Sequence, residues 1–232
     1  MADKVAVVVG AGPGLGAALA RRFADGGYRV AVARRQTDDI AGLAEEIGGK
    51  AYACDAADHT SVTALFDGVA ADLGTPTLVS YNAGAYSPGS VLEITAEEFE
   101  RCWRIGCLGG FNVGQAAARG MVDAGGGTLL FTGATAALRG GKGFANLAVG
   151  KFGLRALAQS MARELGPQGV HVAHLIIDGQ IASDRPGYTE AERGEDHVLK
   201  PEAIAEAAWF LHSQQRSAWT QELDLRPYVE KW

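Results

Sequence analysis

The sequence predicts an α/β fold, a doubly wound parallel sheet with helices on both faces. Short β-branched runs bounded by Gly or Asp alternate with longer amphipathic stretches, which is typical of parallel strands joined by helices. The first run, VAVVVG, leads directly into a glycine-rich turn. The 232 residues are 47% hydrophobic, enough for one large core, so we expect a single domain over residues 1–232.

The elements follow one another in a regular order. Strands are predicted in six runs: VAVVVG from Val5, RVAVAR from Arg29, AYACD from Ala51, TLVSYNAG from Thr77, GTLLFTGA from Gly127 and VHVAHLIIDG from Val170. Apolar residues at helical spacing predict helices over 16–26, 40–47, 61–73 and 96–122, and PQG at 167–169 ends the last long helix. Right-handed crossovers between such strands give a doubly wound sheet.

One late segment, residues 180–200, has a different composition. It is polar, contains several turn-forming residues and shows little apolar periodicity before another helix begins near Pro201. Late in this topology such a segment is predicted to be a substrate lid, with a plain surface loop as the alternative.

Charge and cysteine content exclude several function classes. The net charge is −6 and the basic residues are scattered, so we expect neither a nucleic-acid partner nor a membrane surface. The chain enters a strand at once and has no apolar run of roughly 18–20 residues, which argues against a signal peptide or a membrane span. Cys54, Cys102 and Cys107 lack metal-ligand spacing and are interpreted as reduced thiols in a cytoplasmic protein. No metal site is expected.

The glycine-rich turn GAGPGLG predicts a nucleotide site. Its small residues allow the backbone to approach a diphosphate, whose charge is stabilised by free N–H groups at the start of the following helix. The residues assigned to this site are Gly10, Gly12, Gly14, Leu15 and Gly16.

The end of the second strand indicates which dinucleotide binds. Ala33 stands where an acidic residue would bind the adenosine ribose of NAD, and Arg34 and Arg35 follow it. A guanidinium can bind a 2′-phosphate through two hydrogen bonds, so NADP is favoured and NAD is less favoured. The alternative is that both arginines are a solvated strand exit.

These features resemble the short-chain dehydrogenase/reductase superfamily over nearly the whole chain. The resemblance rests on the glycine turn, on YNAG at 81–84 and on AVGKFGLRALAQSMARELGPQGVHVAHLIIDG at 148–179. It implies a Rossmann-type domain that binds a nicotinamide cofactor. The further cofactor residues it implies are Asp55 for the adenine, Asn82, Ala83 and Gly84 beside the cofactor, and Gly179, Ile181 and Ser183 towards the nicotinamide.

The same resemblance implies a catalytic set of Asn, Ser, Tyr and Lys, of which this chain keeps only the lysine. Lys151 matches it and is expected to hold the nicotinamide ribose. Leu147 stands at the tyrosine position, Ala134 at the serine position and Gly106 at the asparagine position. Neither leucine nor alanine can transfer a proton. A misalignment by one residue, bringing Asn146 and Thr135 into these roles, is the alternative.

Other side chains could replace the missing proton donor. Tyr86 follows the fourth strand, where ligands gather in doubly wound sheets, and its alternative role is an aromatic lining without chemistry. Tyr188 lies in the predicted lid. His174 alternates with apolar residues, which favours a buried core histidine over a catalytic one.

The sequence leaves three functional hypotheses. The first is an NADP-dependent oxidoreductase acting on a small carbonyl or alcohol, because hydride transfer belongs chiefly to the cofactor. The second is a cofactor-binding pseudoenzyme or sensor. The third is a non-redox lyase or isomerase that uses the same pocket. By the family resemblance, helices over 101–122 and 147–165 are expected to pair across two-fold interfaces, giving a homodimer or homotetramer.

Overall fold

The computed structural model describes residues 4–194 and 196–230, and within them seven strands form one parallel sheet. The strands are β1 Val5–Val9, β2 Arg29–Arg34, β3 Lys50–Ala53, β4 Pro76–Tyr81, β5 Gly127–Thr132, β6 Val170–Ile177 and β7 Glu222–Leu225. Their order across the sheet is β3-β2-β1-β4-β5-β6-β7. The six predicted strands are present. β7 was not predicted, because its four residues, ELDL, form too short a run for their alternation of charged and apolar residues to stand out.

Helices connect the strands. They are α1 Leu15–Asp25, α2 Asp38–Glu46, α3 His59–Asp72, α4 Ala96–Trp103, α5 Gly109–Asp123, α6 Ala145–Leu165, α7 Glu190–Arg193 and α8 Pro201–Ser213. The predicted continuous helix over 96–122 is wrong in one respect, because a π-helical turn at Arg104–Leu108 separates α4 from α5. A π turn keeps the helical periodicity of the sequence, so the pattern could not reveal it.

The core has two layers, one on each face of the sheet. All five residues of β1 are buried, and they alternate between the layers. Ala6 and Val8 belong to the layer that includes buried side chains of α1, α2 and α8. Val5, Val7 and Val9 belong to the layer that includes those of α3, α5 and α6. The fold is therefore the predicted doubly wound, Rossmann-type domain with helices on both faces.

The strand order fixes where a ligand can enter. The order reverses between β1 and β4, and their connections leave in opposite directions to cover opposite faces. A crevice forms outside the carboxyl ends of strands at such a point. Among the described helices, none combines the length and apolar character needed to span a bilayer.

Candidate active site

A cleft of about 640 Å³ lies at the switch point between β1 and β4. We call it the cofactor cleft. It is lined by the glycine turn, by the ends of β2, β3 and β4, and by single residues of more distant elements. Its lining residues are Val9–Pro13, Arg34, Arg35, Cys54–Ala57, Asn82–Tyr86, Arg101, Ile105 and Arg185. Most of the predicted nucleotide residues therefore converge on one cleft.

The glycines of the turn have different structural roles. A Cβ at Gly10 would lie 2.4 Å from the backbone nitrogen of Ala83, and one at Gly16 would lie 2.8 Å from the carbonyl oxygen of Gly10. These two glycines are required by contacts within the protein. A Cβ at Gly14 would meet nothing, and one at Gly12 would lie 3.7 Å from Nη1 of Arg34. Gly12 and Gly14 therefore leave open the space that a ligand would occupy.

Backbone hydrogen bonds hold the turn against two strands. The carbonyl oxygen of Ala33 accepts from the backbone nitrogens of Gly10 at 2.9 Å and Ala11 at 3.2 Å. From the other side, Asn82 donates from Nδ2 to the carbonyl oxygen of Gly10 at 3.1 Å. The start of α1 has no side-chain cap and no acidic residue in its first turn. The free N–H groups of its first residues, Leu15 and Gly16, can therefore donate hydrogen bonds to an anion.

Arg34 lies at the end of β2 beside this turn. Its Nη2 pairs with Oδ2 of Asp39 at 3.1 Å, and its side chain is partly exposed to the cleft. Arg35 is exposed at the same edge. Asp55 lines the far side of the cleft, where its Oδ1 accepts from the backbone nitrogen of Ala57 at 3.0 Å. The cleft thus presents two guanidinium groups at the end of β2.

Lys151 is buried within α6, and its ammonium group lies behind the cofactor cleft. Its Nζ donates to the carbonyl oxygen of Thr132 at 2.6 Å. A Cβ at Gly84 would lie 3.7 Å from Nζ, which places the ammonium group next to this residue of the cleft. Burial away from any paired carboxylate lowers the pKa of Lys151 to about 8. The lysine can therefore gain or lose a proton close to neutral pH.

None of the three positions expected to hold the other catalytic side chains carries a polar side chain. Leu147 lies one helical turn before Lys151 on the same face of α6. Ala134 follows β5 in an extended conformation. Gly106 lies in the π-helical turn, where a Cβ would be 3.3 Å from Cα of Gly150 in α6. A side chain at 106 would require one of these two segments to shift slightly. Close packing between the segments therefore explains why position 106 is a glycine.

The one-residue misalignment is not supported by the positions of the two residues it needs. Asn146 is fully buried, and its Nδ2 donates to the carbonyl oxygen of Ser87 at 2.7 Å. Thr135 donates from Oγ1 to Oδ1 of Asp178 at 2.5 Å. Both polar groups therefore bind other loops of the protein, and Asp178 holds the loop after β5 against the end of β6.

Tyr86 lines the cofactor cleft at its mouth. Its ring stacks on Phe144 at a centroid distance of 4.8 Å, and its hydroxyl donates to the carbonyl oxygen of Gly143 at 3.4 Å. The side chain is 40% exposed, so the phenol is accessible to a ligand. The geometry accommodates both a lining role and proton donation.

His174 is a buried histidine of β6, as its alternation with apolar residues predicted. Its Nδ1 lies 3.3 Å from Oε2 of Glu222, which also forms a bidentate pair with Arg155 at 2.6 and 2.7 Å. Burial lowers the pKa of His174 to about 4, so the ring is neutral near neutral pH. The ring packs against Gly133, where a Cβ would lie 2.4 Å from Nε2 of His174.

Residues 180–200, with Glu195 outside the described residues, form a loop closed at its base. The backbone of Ile181 pairs with that of Leu199, and the nitrogen of Ala182 donates to Leu199 at 2.9 Å. Gly179, with φ of +153°, precedes this base, where a Cβ would lie 2.8 Å from Cδ of Pro227. Ser183 faces a second cavity beside Pro13 and Gly14. The loop also contains α7, which the sequence pattern did not predict.

A family model described as short chain dehydrogenase matches residues 4–192. The chain belongs to the short chain dehydrogenase family. D-threitol dehydrogenase of Mycolicibacterium smegmatis is a relative with 30% identity over 225 residues, covering 90% of this chain and 86% of that protein. Its relatives include proteins named dehydrogenases and reductases, and the chain is accordingly assigned to the oxidoreductases.

Solved structures of short chain dehydrogenases share the fold over nearly the full length. A short-chain dehydrogenase from Rhodopseudomonas palustris is 41% identical, has a TM-score of 0.83 and covers 97% of this chain and 99% of its own. An alcohol dehydrogenase from Thermococcus sibiricus, solved with 5-hydroxy-NADP, is 27% identical with a TM-score of 0.87 and 98% coverage of both chains. The family resemblance inferred from the sequence is confirmed.

Two residues of the cofactor cleft of this short chain dehydrogenase were missed by the sequence interpretation. Arg101 reaches the cleft from α4, where Glu98 holds it at 2.8 and 2.9 Å. Arg185 reaches it from the loop after β6. The sequence did offer a signal for Arg185, because this arginine follows the predicted cofactor residue Ser183 by two positions. Across the described residues, no group of three or more His, Cys, Asp or Glu side chains is gathered as a metal ion would need.

Proposed function

We propose that this short chain dehydrogenase is an NADP-dependent oxidoreductase that acts on a small carbonyl or alcohol with a proton donor other than the family's tyrosine. The observation that carries the proposal is the cofactor cleft itself. The open glycine turn, which leads into the uncapped start of α1, and the guanidinium of Arg34 line this cleft, and Lys151 lies next to Gly84. The solved relative from Thermococcus sibiricus, which holds 5-hydroxy-NADP, supports the choice of cofactor class.

Each part of a dinucleotide can be assigned to residues of the cleft or of the loops beside it. The free N–H groups at the start of α1, together with Gly12 and Gly14, would hold the diphosphate. Arg34 and Arg35 would bind the 2′-phosphate, and Asp55 would contact the adenine. The remaining proposed contacts are those of Gly10, Leu15, Gly16, Asn82, Ala83, Gly84, Gly179, Ile181 and Ser183, which shape the cleft or face the nicotinamide end.

When bound, NADP(H) supplies the hydride chemistry, and the protein's task is to orient the substrate and move a proton. Lys151 would hydrogen-bond the nicotinamide ribose and carry a proton at Nζ, which its pKa of about 8 permits. Tyr86 would carry one at its hydroxyl, at the mouth of the cleft. With leucine and alanine at 147 and 134, we expect catalysis to be slower by roughly 10²- to 10⁴-fold than with a positioned acid.

The apolar outer faces of α5 and α6 support a homodimer or homotetramer. Phe111, Val149 and Phe152 are each more than 40% exposed, and the groove between the two helices measures about 620 Å³. Ala118 lines this groove, and its small side chain allows a second subunit to pack closely. Light scattering should give a multiple of the 24.2 kDa chain mass, whereas a monomer at micromolar concentration would contradict the proposal. A cytoplasmic location stays a prediction of the sequence.

The test combines binding with turnover. Calorimetry should show tighter binding of NADPH than of NADH by the wild type, and Arg34→Ala should remove most of that preference, because only NADPH carries the 2′-phosphate. In a turnover assay with a panel of small carbonyls, the absorbance of NADPH should then decrease. Binding without turnover on the panel would favour a cofactor-binding protein, and product formation without an absorbance change would favour a lyase or isomerase.

A further inference from the structure

Arg185 lies where two cavities adjoin. The cofactor cleft is one of them. The other, of about 670 Å³, lies between Pro13–Gly14, residues 182–190 and the start of α8, and we call it the loop cavity. Of the described residues in 180–200, Arg185 is the one that lines both cavities. Pro13, immediately before the start of α1, lines both as well. The arginine is therefore beside the start of α1.

The guanidinium of Arg185 has no carboxylate partner among the described residues. Its Cζ lies over the ring of Tyr188 at 4.9 Å from the centroid, and its Nε lies 3.5 Å from Oγ of Ser183. Two other arginines of the cleft differ, because Arg34 is paired with Asp39 and Arg101 with Glu98. Arg185 is thus held in place by an aromatic face and keeps its charge available for an anion.

Most acidic side chains of the two cavities line the loop cavity. Asp184, Glu190 and Glu202 line the loop cavity but not the cofactor cleft, and Glu190 is paired with Lys200 at 3.2 Å. In the cleft, Arg185 shares the lining with Gly10, Gly12 and Pro13 of the glycine turn. The cofactor cleft is lined by four arginines and one carboxylate, that of Asp55, whereas the loop cavity is lined by one arginine and three carboxylates. These charges favour an anion in the cleft, beside Arg185 and the glycine turn.

We propose that Arg185 binds the diphosphate of the cofactor and thereby couples cofactor binding to the position of the loop at 180–200. The inference rests on the proposed cofactor site. Because NADP and NAD share the diphosphate, Arg185 contributes to the affinity for both cofactors by the same factor. Arg34 differs, since its partner is the 2′-phosphate, which only NADP carries.

Calorimetry with NADPH and NADH tests the assignment on four proteins: wild type, Arg185→Ala, Arg185→Lys and Arg193→Ala. Arg185→Ala should weaken both cofactors by about 10- to 100-fold and leave their affinity ratio unchanged. Arg185→Lys should recover part of the loss, because it restores the charge but not the bidentate geometry. Arg193→Ala is the matched control, since Arg193 flanks the same Tyr188 ring at 5.9 Å but lines neither cavity.

Each outcome separates this inference from the proposed function. If the wild type binds neither cofactor, the proposed function fails. If the wild type binds and Arg185→Ala binds equally well, only the role of Arg185 is wrong. A loss confined to NADPH would make Arg185 a 2′-phosphate ligand, and an equal loss in Arg193→Ala would mean that loop structure, not the arginine, was disturbed. Both results overturn the assignment.

Limited proteolysis provides a readout independent of affinity. Trypsin cleavage after Arg193 reports the exposure of the loop, and saturating NADPH should slow it severalfold in the wild type. In Arg185→Ala, at NADPH concentrations that again saturate the site, the protection should be largely lost. Equal protection of both proteins would overturn the coupling between cofactor and loop.

Discussion

Single substitutions in the glycine turn can distinguish a glycine that packing within the protein requires from a glycine that leaves space for a ligand. Gly10 has φ of +91°, and a Cβ there would lie 2.4 Å from the backbone nitrogen of Ala83. The backbone conformation costs a non-glycine residue roughly 1–2 kcal/mol, and overpacking costs roughly 1–3 kcal/mol. We expect Gly10→Ala to lower the free energy of unfolding by about 2–5 kcal/mol.

This loss translates into a measurable change in Tm. With an unfolding entropy of roughly 2.1 cal/mol/K per residue over 232 residues, Tm should fall by about 4–10 °C. Gly12→Ala is the matched control, because the nearest atom to its Cβ is Nη1 of Arg34 at 3.7 Å. Its Tm should stay close to that of the wild type, while the added methyl should weaken NADPH binding by about tenfold or more.

Differential scanning calorimetry on the apo proteins and titration calorimetry with NADPH provide both quantities. The reasoning is refuted if Gly10→Ala unfolds at the wild-type temperature, because the contact with Ala83 would then be relieved without cost. It is equally refuted if Gly12→Ala loses as much stability as Gly10→Ala, since the space beside Gly12 would then not be open.

Three further predictions concern Lys151 and its neighbours. Lys151→Met should weaken NADPH binding by calorimetry, whereas Leu147→Phe should leave it nearly unchanged; equal binding by Lys151→Met would remove the ribose role. Because the folded-state pKa of Lys151 is about 8 and its ordinary value is 10.5, the unfolded chain binds more protons between these pH values. The stability of wild type relative to Lys151→Met should therefore rise from about pH 8 to 10.5 in denaturant titrations, and a flat difference would contradict the burial of the charge. Leu147→Tyr/Ala134→Ser should create or raise carbonyl reductase activity, because Lys151 can lower the pKa of the new phenol; a folded, NADPH-binding double variant that reduces nothing on the panel would remove support for the catalytic positions.

Much of the fold followed from local patterns. Strands such as VAVVV are buried on both faces of a parallel sheet, so their apolar runs are visible without neighbours. The glycine turn was equally visible, because the close approach of Gly10 to Ala83 permits no side chain. β7 was not visible, since an edge strand contacts one neighbour and tolerates Glu222 and Asp224. The π turn around Gly106 was not visible either, because Gly106 packs closely against Gly150, which lies on another helix.

The sequence by itself determined the family, the sheet and the types of residue at the catalytic positions, because all of these are read from identity and spacing along the chain. The tertiary structure decided where the remaining polar groups point. Asn146 binds Ser87, and Thr135 binds Asp178, so neither neighbour of the vacant catalytic positions is directed at a substrate. It also placed Arg185 at the cofactor cleft, since the pairing of Ile181 with Leu199 folds the loop back over the glycine turn. These contacts join residues far apart in the chain, and no local pattern encodes them.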